Sequence, residues 1–516
     1  MDDTGRIRRP LTPTARRIVF GDPVPGPPEL ALVTQVDRAH LVMLVEQGLV
    51  DRAAAAALLV EIEVLRARRF APLDGAAARR GRYLLYEDWL AGRLGERTAG
   101  ILRTGRSRND LNATVLQLRL RPPAMRLLTE TLRLQAVLLA GARRHAGTVM
   151  PGYTHYQPAV PTTYGHHLGG VARALDRDLE ALGAAAAGLD TSPLGAGTGH
   201  GSALPIAPAR TATLLGFERP AAHALDAVAS RDVVLRLLAA AAVFGVTASR
   251  LAADLLLWTT AEFAFLELPD ELVGSSSAMP QKRNPFLLEH VKGRSARAAG
   301  AFVAAATAMH ATPFANSVAV GTEGCAGAVE ALEAAADCAA LLRLVVVGAR
   351  PQPGAMLARA TAGHTTATAR AERLVLEDGL SFREAHRLVG QLLTDAETDR
   401  RSSGTPVVPQ ERRNGGEGAD RRSSLTPVVR QERRSVADGL DPGSVARAAR
   451  FGGGPGAPPA LDDLRRRRAA LAADRAERAR RWRRADTDLA AAVAAVIGAT
   501  GAPPPAPAHA VAGSPA

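Results

Sequence analysis

The sequence predicts an all-α protein built from unusually long helices. Apolar residues recur at three- to four-residue spacing over much of residues 29–350, for example at Val115, Leu118, Leu127 and Leu132. This spacing is typical of helices with one buried face. Strand-like alternation of apolar and polar residues is almost absent. Because long helices must bury their apolar faces, we expect a helical bundle within one chain or between chains.

Breaks in the apolar pattern delimit the predicted helices. Pro122 and Pro123 interrupt the first long series, so we expect a kink or a break there. Loops and further long helices then alternate along the chain. The predicted loops lie at residues 150–163 and 192–208, and the long helical patterns at about 224–265, 285–311 and 322–349.

A direct repeat marks the C-terminal third of the chain. Residues 402–413 (SSGTPVVPQERR) and 423–434 (SSLTPVVRQERR) repeat with a period of 21 residues. Two copies are too few for a solenoid, so a disordered insertion is favoured over a binding module. The predicted organisation is a disordered tail at 1–28, an N-terminal helical domain at 29–110, a central bundle at 111–350, a C-terminal helical domain at 351–500 with an insertion at 399–434, and a disordered tail at 501–516.

The net positive charge of the chain, taken alone, is typical of a nucleic-acid-binding protein. Lys and Arg number 64 against 51 Asp and Glu, a net charge of +13. Only two of these bases are lysines, Lys282 and Lys292, which indicates a coding bias towards arginine. Most of the excess charge lies in residues 399–434 and 465–484, and aromatic residues are only 4% of the chain. Nucleic-acid binding is therefore disfavoured, although weak polyanion contact by residues 465–484 stays open.

Cysteine content and hydropathy indicate a cytoplasmic protein. The two cysteines, Cys325 and Cys338, are too few for a disulfide framework, and neither they nor the pair His166 and His167 show metal-ligand spacing. We therefore expect a reducing cytoplasm and no metal or cofactor. The chain has no apolar run of about 18 residues and no apolar N-terminal segment. We expect neither a membrane span nor a secretory signal.

The first of three polar segments lies at the predicted start of a long helix. Residues 104–110 (TGRSRND) contain Ser107, Arg108 and Asn109. Their donors, added to the free amides of a helix N-terminus, would suit a carboxylate. Taken alone, the segment fits a simple helix cap with surface arginines better than a binding site.

The second segment, residues 152–157 (GYTHYQ), gathers polar groups in one loop. Thr154 supplies a hydroxyl, His155 an imidazole and Gln157 an amide. A lone histidine is more often structural than catalytic, and the polar neighbours of His155 narrow that difference without reversing it.

The third segment is a Gly- and Ser-rich loop that leads to a helix start. Residues 274–285 (GSSSAMPQKRNP) contain Lys282, one of the only two lysines. Because the coding bias favours arginine, its presence suggests that the site needs a compact ammonium with three donors.

In this order and at these separations, the three segments resemble the signature regions of the fumarase/aspartase superfamily, and most closely those of the argininosuccinate lyases. Further similar stretches are SPLGAG, LDAVASRD and FREAHRLVG. The resemblance covers about residues 29–398 and resumes near 434–497. It implies a three-domain all-α fold whose central long-helix bundle is completed by tetramerisation. Each active site would combine the three segments from three different subunits of a homotetramer.

The resemblance also implies a reaction, the reversible elimination of an N-substituted succinate to fumarate and an amine, which is arginine for argininosuccinate. The catalytic base corresponds to Ser276, whose alkoxide would need stabilisation by backbone amides and a cation. His155 corresponds to the active-site histidine and Glu289 to the glutamate that orients it. The groups that would bind the dicarboxylate substrate are Ser107, Arg108, Asn109, Thr154, Gln157, Lys282 and Asn284.

The sequence departs from the family pattern at several positions. Residues 313–324 (PFANSVAVGTEG) stand where the family has a Tyr-Asn-Arg-Asp-Leu-Gln-Glu-Asp-Lys run. The Tyr, Gln and Lys of that run are absent, so we hypothesise that the fumarate side of the site is kept and the amine side is altered. The other departures are Asp37, Leu90, Arg103, Leu111, Ser275 and Phe286.

Two alternatives to an argininosuccinate lyase stay open. One is a lyase of the same family that acts on a different substituted succinate in specialised metabolism. The other is a structural homologue without activity, which the presence of Ser276, His155, Lys282 and Glu289 disfavours. Adenylosuccinate lyase shares the SSAMPxKRNP loop, but TGRSRND, SPLGAG and FREAHRLVG fit the argininosuccinate group better.

Overall fold

A computed structural model describes residues 11–20, 28–74, 82–402, 440–457 and 461–499. Over these residues the protein is predominantly helical, which confirms the predicted all-α class. The helices are α1 (Pro13–Phe20), α2 (Pro28–Glu46), α3 (Arg52–Ala67), α4 (Arg82–Leu94), α5 (Glu96–Ala99), α6 (Arg108–Arg144), α7 (Tyr164–Ala187), α8 (Pro208–Leu214), α9 (Ala224–Ala229), α10 (Asp232–Trp258), α11 (Phe286–Met309), α12 (Val318–Gly321), α13 (Ala328–Gly348), α14 (Pro353–Ala362), α15 (Ala367–Asp378), α16 (Phe382–Ser402), α17 (Pro442–Ala448) and α18 (Asp462–Gly498).

Among the described residues, short strands pair as two-stranded ribbons. The strands are β1 (Val149–Thr154), β2 (Gln157–Thr163), β3 (Thr191–Ser192), β4 (Arg219–Pro220), β5 (Leu266–Glu267) and β6 (Arg350–Pro351). β1 and β2 form an antiparallel hairpin, β3 pairs with β4 in parallel, and β5 pairs with β6 antiparallel.

The largest apolar core lies within a bundle of α6, α7, α10, α11 and α13. These helices pack along one another and bury side chains such as Leu127, Leu179, Phe244 and Leu342. Burial of that apolar surface is the main favourable term for a helical bundle. The bundle therefore fixes the positions of the loops at its two ends.

Of the kink or break predicted at Pro122 and Pro123, the break is wrong, because α6 runs unbroken through both prolines. A proline inside a helix removes one backbone hydrogen bond and costs about 3 kcal/mol. Here α7 and α13 pack along α6, and the Arg121 guanidinium stacks on the rings of Phe217 at 4.0 Å and Trp482 at 4.8 Å. Tertiary packing outweighs the local penalty.

A second apolar cluster joins distant parts of the chain. It combines residues of α2 and α3, such as Leu41 and Ile62, with the start of α6 at Leu118 and the end of α18 at Val493. The predicted domain boundary after residue 110 thus falls in the first turn of α6, and α18 packs with the N-terminal helices. A small third cluster joins α15 and α16.

The predicted terminal tails and insertion are only partly described. Residues 13–20 form α1, capped by a hydrogen bond from the Ala15 N–H to Thr12 Oγ1 at 3.3 Å, so this part of the expected 1–28 tail is helical. Residues 399–402 of the predicted insertion continue α16. The rest of the insertion and the 501–516 tail lie outside the described residues.

One helix in the described part of the chain, α10, has the length and hydropathy of a membrane span. Half of its most apolar window is buried inside the fold, as is usual for the core helix of a bundle.

Candidate active site

The first polar segment forms the N-terminus of α6. Ser107 is the N-cap. Its hydroxyl accepts the backbone N–H of Asn109 at 3.2 Å, and its own N–H donates to Asp110 Oδ1 at 3.0 Å. This reciprocal capping box fixes the first turn. Arg108 is exposed and Asn109 is half-buried, so their donors stand beside the positive end of a long helix, where an anion binds favourably.

Asp110 fastens this helix start to the glycine loop that follows β3. Its Oδ2 accepts the N–H of Gly195 at 3.1 Å and of Gly197 at 2.9 Å. Both glycines have positive φ, 104° and 60°, and a Cβ on either would lie 2.6 Å from Pro208 or from the Gly201 carbonyl oxygen. The SPLGAG sequence therefore forms a close approach that only glycine permits.

Arg106, the other arginine of this segment, points inward. Its guanidinium donates to Asp37 at 2.5 Å and to the Tyr83 hydroxyl at 3.1 Å, and its side chain is only 2% exposed. Asp37, a departure from the family pattern, is the carboxylate that neutralises it. Of the two arginines in the segment, Arg108 alone can reach a ligand from outside.

The second polar segment is the turn of the β1–β2 hairpin. His155 and Tyr156 have positive φ, 51° and 62°, and lie between the paired residues Thr154 and Gln157. Two-residue turns of this kind favour Asn or Gly, and strained non-glycine residues often mark functional sites. Thr154, His155 and Gln157 are all exposed. Helices α14 and α17 pack against the hairpin and fix its position.

The third polar segment is a loop closed at its base. Gly274 and Asn284 exchange two backbone hydrogen bonds of 2.8 Å. Inside the loop, the half-buried Ser276 hydroxyl oxygen accepts the N–H of Met279 at 3.1 Å and, more weakly, that of Ala278 at 3.4 Å. Two amides directed at one oxygen would stabilise negative charge on it.

The two cations of this loop have different surroundings. Arg283 donates to the Leu268 carbonyl at 2.8 Å and forms an ion pair with Asp270, so it braces the base of the loop. The Lys282 side chain is exposed and has no ion pair among the described residues. Lys282 is thus the cation that remains available to a substrate.

A single chain does not bring the three segments together. The TGRSRND segment lies at the start of α6 and the hairpin follows its end, and 37 helical residues span about 55 Å. The third segment lies near the hairpin end. Tyr153 of β1 packs on Phe263 at 5.8 Å between ring centroids, and Arg283 is anchored on Leu268 in the same connection between α10 and α11.

His155 and Glu289 do not form a hydrogen bond within the described part of one chain. Glu289 lies in the first turn of α11 and is exposed, as is His155. The expected pairing of these two residues is therefore not seen within one chain.

The 313–324 segment contacts the first segment, a relationship that the sequence did not predict. Asn316 Nδ2 donates to Asn109 Oδ1 at 3.0 Å. Arg231, from the LDAVASRD stretch, directs Nη2 towards Asn316 Oδ1 at 3.5 Å. The resemblance had marked the 313–324 segment only as a departure from the family pattern, and no periodicity or spacing indicates a contact across this distance in sequence.

The Arg-rich helix α18 is held by buried and half-buried carboxylates. Arg478 and Arg481 both bind the buried Asp190, and Arg467 binds the buried Asp176 at 2.8 Å. Three of the ten arginines in residues 465–484 therefore form ion pairs with carboxylates of other elements.

Among the described residues, no group of three or more His, Cys, Asp or Glu side chains is placed to hold a metal ion.

Sequence comparisons identify proteins similar to this chain. A family model described as lyase matches residues 87–300, and one described as argininosuccinate lyase C-terminal matches residues 364–406. The argininosuccinate lyase of Methanoculleus marisnigri is 38% identical over 373 residues, 70% of this chain and 74% of that protein. The argininosuccinate lyase of Methylococcus capsulatus is 37% identical over 354 residues, 68% of this chain and 76% of that protein.

Solved structures show the same fold. EDDS lyase in complex with formate superposes with a TM-score of 0.78 at 26% identity, covering 96% of this chain and 99% of that one. A class II fumarase from Schistosoma mansoni superposes with a TM-score of 0.62 at 16% identity, covering 76% of this chain and 91% of that one, a likeness in fold alone.

The fold and the comparisons define a fumarate-forming carbon–nitrogen lyase of the fumarase/aspartase superfamily. Within that superfamily, the chain belongs to the argininosuccinate lyase family. A dicarboxylate substrate and an oligomeric assembly follow from membership of this family.

Proposed function

We propose that this enzyme cleaves argininosuccinate reversibly to fumarate and arginine, with Ser276 as the catalytic base. The observation on which the proposal rests is the environment of the Ser276 hydroxyl, which accepts the N–H of Met279 at 3.1 Å inside a Gly- and Ser-rich loop. A serine hydroxyl is a weak base unless its alkoxide is stabilised. The loop amides and the nearby Lys282 ammonium supply that stabilisation.

The substrate carboxylates bind two sets of groups. In any one chain these sets lie at opposite ends of the bundle, and they meet between subunits. Ser107, Arg108 and Asn109 at the α6 N-terminus hold the fumarate portion, because a helix N-terminus and amide donors favour a carboxylate. Thr154, Gln157, Lys282 and Asn284 add donors from the other end. Removal of the proton on carbon builds charge on the adjacent carboxylate, so preorganised donors lower the barrier most.

The site is completed between subunits of a homotetramer. About 55 Å of α6 separates Asn109 from the hairpin in one chain, so at least one other copy must supply the missing segments. Apolar side chains left exposed on the bundle support this association: Val243 and Val246 of α10 are 58% exposed and Val347 of α13 is 64% exposed. In the assembly, Glu289 of one subunit orients His155 of another, and His155 serves the leaving nitrogen. We expect this assembly in the cytoplasm.

A second candidate is a lyase for a different N-substituted succinate. Phe314 and Val318 are 62% and 68% exposed in the 313–324 segment, and Phe286 lies at the start of α11, beside the third segment. These apolar side chains favour a less polar amine than arginine. The structural likeness to EDDS lyase is compatible with this candidate.

Measurement of steady-state fumarate release decides between argininosuccinate and a different N-substituted succinate as the substrate. The enzyme is assayed with argininosuccinate and with a panel of N-substituted succinates that differ only in the amine. Turnover of argininosuccinate in the ordinary range of metabolic enzymes, about 1–1,000 per second, supports the first candidate. Turnover of another member with at least tenfold higher kcat/KM supports the second. Activity with none of them contradicts both.

A further inference from the structure

A chain of side-chain hydrogen bonds ends on the amide of Asn109. The Arg231 Nη2 group donates to Asn316 Oδ1 at 3.5 Å, Asn316 Nδ2 donates to Asn109 Oδ1 at 3.0 Å, and Asn109 Nδ2 donates to the Thr198 carbonyl at 3.3 Å. The four residues come from the start of α10, the 313–324 segment, the start of α6 and the glycine loop. We call this chain the amide relay.

The chemistry of its two ends fixes the direction of every bond in the relay. A guanidinium can only donate and a backbone carbonyl can only accept. Asn316 must therefore present its oxygen to Arg231 and its NH₂ to Asn109. Asn109 in turn must present its oxygen to Asn316 and its NH₂ towards Thr198. The usual ambiguity of an asparagine amide is removed at both positions.

The environment of Arg231 is unusual for a charged side chain. It is 6% exposed, it has a positive φ of 53°, and it has no ion pair with a carboxylate among the described residues. Burial lowers the pKa of its guanidinium, and its Nε has no hydrogen-bond partner in the described part of the chain. A buried cation without a carboxylate partner favours an anion nearby, and the relay connects it to the residue proposed to bind a carboxylate.

We propose that Asn316 and Arg231 are positioning residues that hold the Asn109 amide with its NH₂ group towards the substrate carboxylate. This inference rests on the proposed role of Asn109 in binding the fumarate portion. One N–H of Asn109 bonds to Thr198, and the second remains for the ligand. A flipped amide would present its oxygen to the carboxylate, which repels it. Asn316, which lies in the segment that departs from the family pattern, thus supplies orientation at the fumarate side of the site.

The test measures fumarate binding to the assembled enzyme by isothermal titration calorimetry, which avoids any assumption about the amine. Asn316→Asp can only accept, so it favours the flipped Asn109 amide, and we expect the fumarate Kd to rise at least about tenfold. Asn316→Leu removes the bond without enforcing a flip and raises Kd by about threefold. Asn316→Gln keeps one donor and one acceptor and stays within about twofold of the parent enzyme.

Ser317→Asp is the matched control for charge. Ser317 caps α12 by accepting the Val320 N–H at 3.3 Å, and Asp caps a helix as well as Ser does. The Ser317→Asp substitution adds the same negative charge one residue away from Asn316. We expect it to raise the fumarate Kd much less than Asn316→Asp does. Equal rises in both variants would overturn the relay, because charge alone would then explain the effect.

Asn109→Ala separates this inference from the proposed function. Weak fumarate binding by Asn109→Ala, together with unchanged binding by Asn316→Asp and Asn316→Leu, overturns the relay and keeps the carboxylate site. Unchanged fumarate binding by Asn109→Ala overturns both the amide relay and the proposed carboxylate site. Circular dichroism melting of each variant checks that the fold is retained.

Discussion

Arg106 and Asp37 form an ion pair of 2.5 Å in which the side chains are 2% and 0% exposed. Arg106 lies two residues before Arg108, in the segment that also carries Asn109. A buried charge without its partner is costly, so removal of one member is far more damaging than loss of a surface pair.

Asp37→Ala should therefore destabilise the protein strongly, by about 3–5 kcal/mol. The thermal midpoint of the assembled enzyme measures the loss. Glu477→Ala, which breaks the exposed pair with Arg480, is the control and should shift the midpoint little. Similar midpoints for the two variants would show that the buried pair does not stabilise the fold.

From the buried environment of His40 we predict that the free energy of unfolding decreases in mild acid. Its Nε2 bonds to the Thr104 carbonyl at 2.9 Å, and burial, together with the charge of Arg106, lowers its pKa to about 3. Below the unfolded-state pKa of about 6.5 the unfolded chain binds a proton that the folded chain does not. Stability should therefore fall by about 1.4 kcal/mol per pH unit as the pH drops from 6.5 towards 3.

Urea unfolding at a series of pH values measures this dependence. His40→Gln, which can still donate to Thr104, should flatten it. His386→Gln is the control, because His386 is exposed, and it should leave the slope unchanged. A slope that persists in His40→Gln would assign the acid sensitivity to other groups.

Ser276→Ala should lower kcat by about 10²–10⁴-fold, because it removes the proposed base. The neighbouring Ser275→Ala and Ser277→Ala are matched controls in the same loop and should retain most of the activity. Size-exclusion chromatography should show the same assembly for all three variants. Comparable activity in Ser276→Ala and Ser275→Ala would place the base elsewhere.

The sequence predicted the helical class and the three polar segments because both depend on local patterns. The apolar spacing marked the long helices. As expected, the first segment sits at a helix start and the other two lie in loops. The sequence did not predict that the second segment is the turn of a β-hairpin. The prediction of a break failed because it depends on packing between distant residues: α6 continues through Pro122 and Pro123, with α7 and α13 packed along it.

Long-range contacts also account for what the sequence missed in the site. Nothing local distinguishes Arg106 from Arg108, yet Asp37, 69 residues away, turns Arg106 inward. The bond from Asn316 to Asn109 spans 207 residues. The resemblance marked Asp37 and Asn316 as departures, but only the folded chain shows that each has a partner in the first segment.

Subunit complementation tests the central claim, that one active site draws its segments from more than one chain. Asn109→Ala and Ser276→Ala, each inactive alone, are unfolded together, refolded as a mixture and assayed for fumarate release. Random assembly with sites shared between two chains restores up to about a quarter of the parent activity, because that share of sites receives both intact segments. A mixture as inactive as its two components would contradict the account.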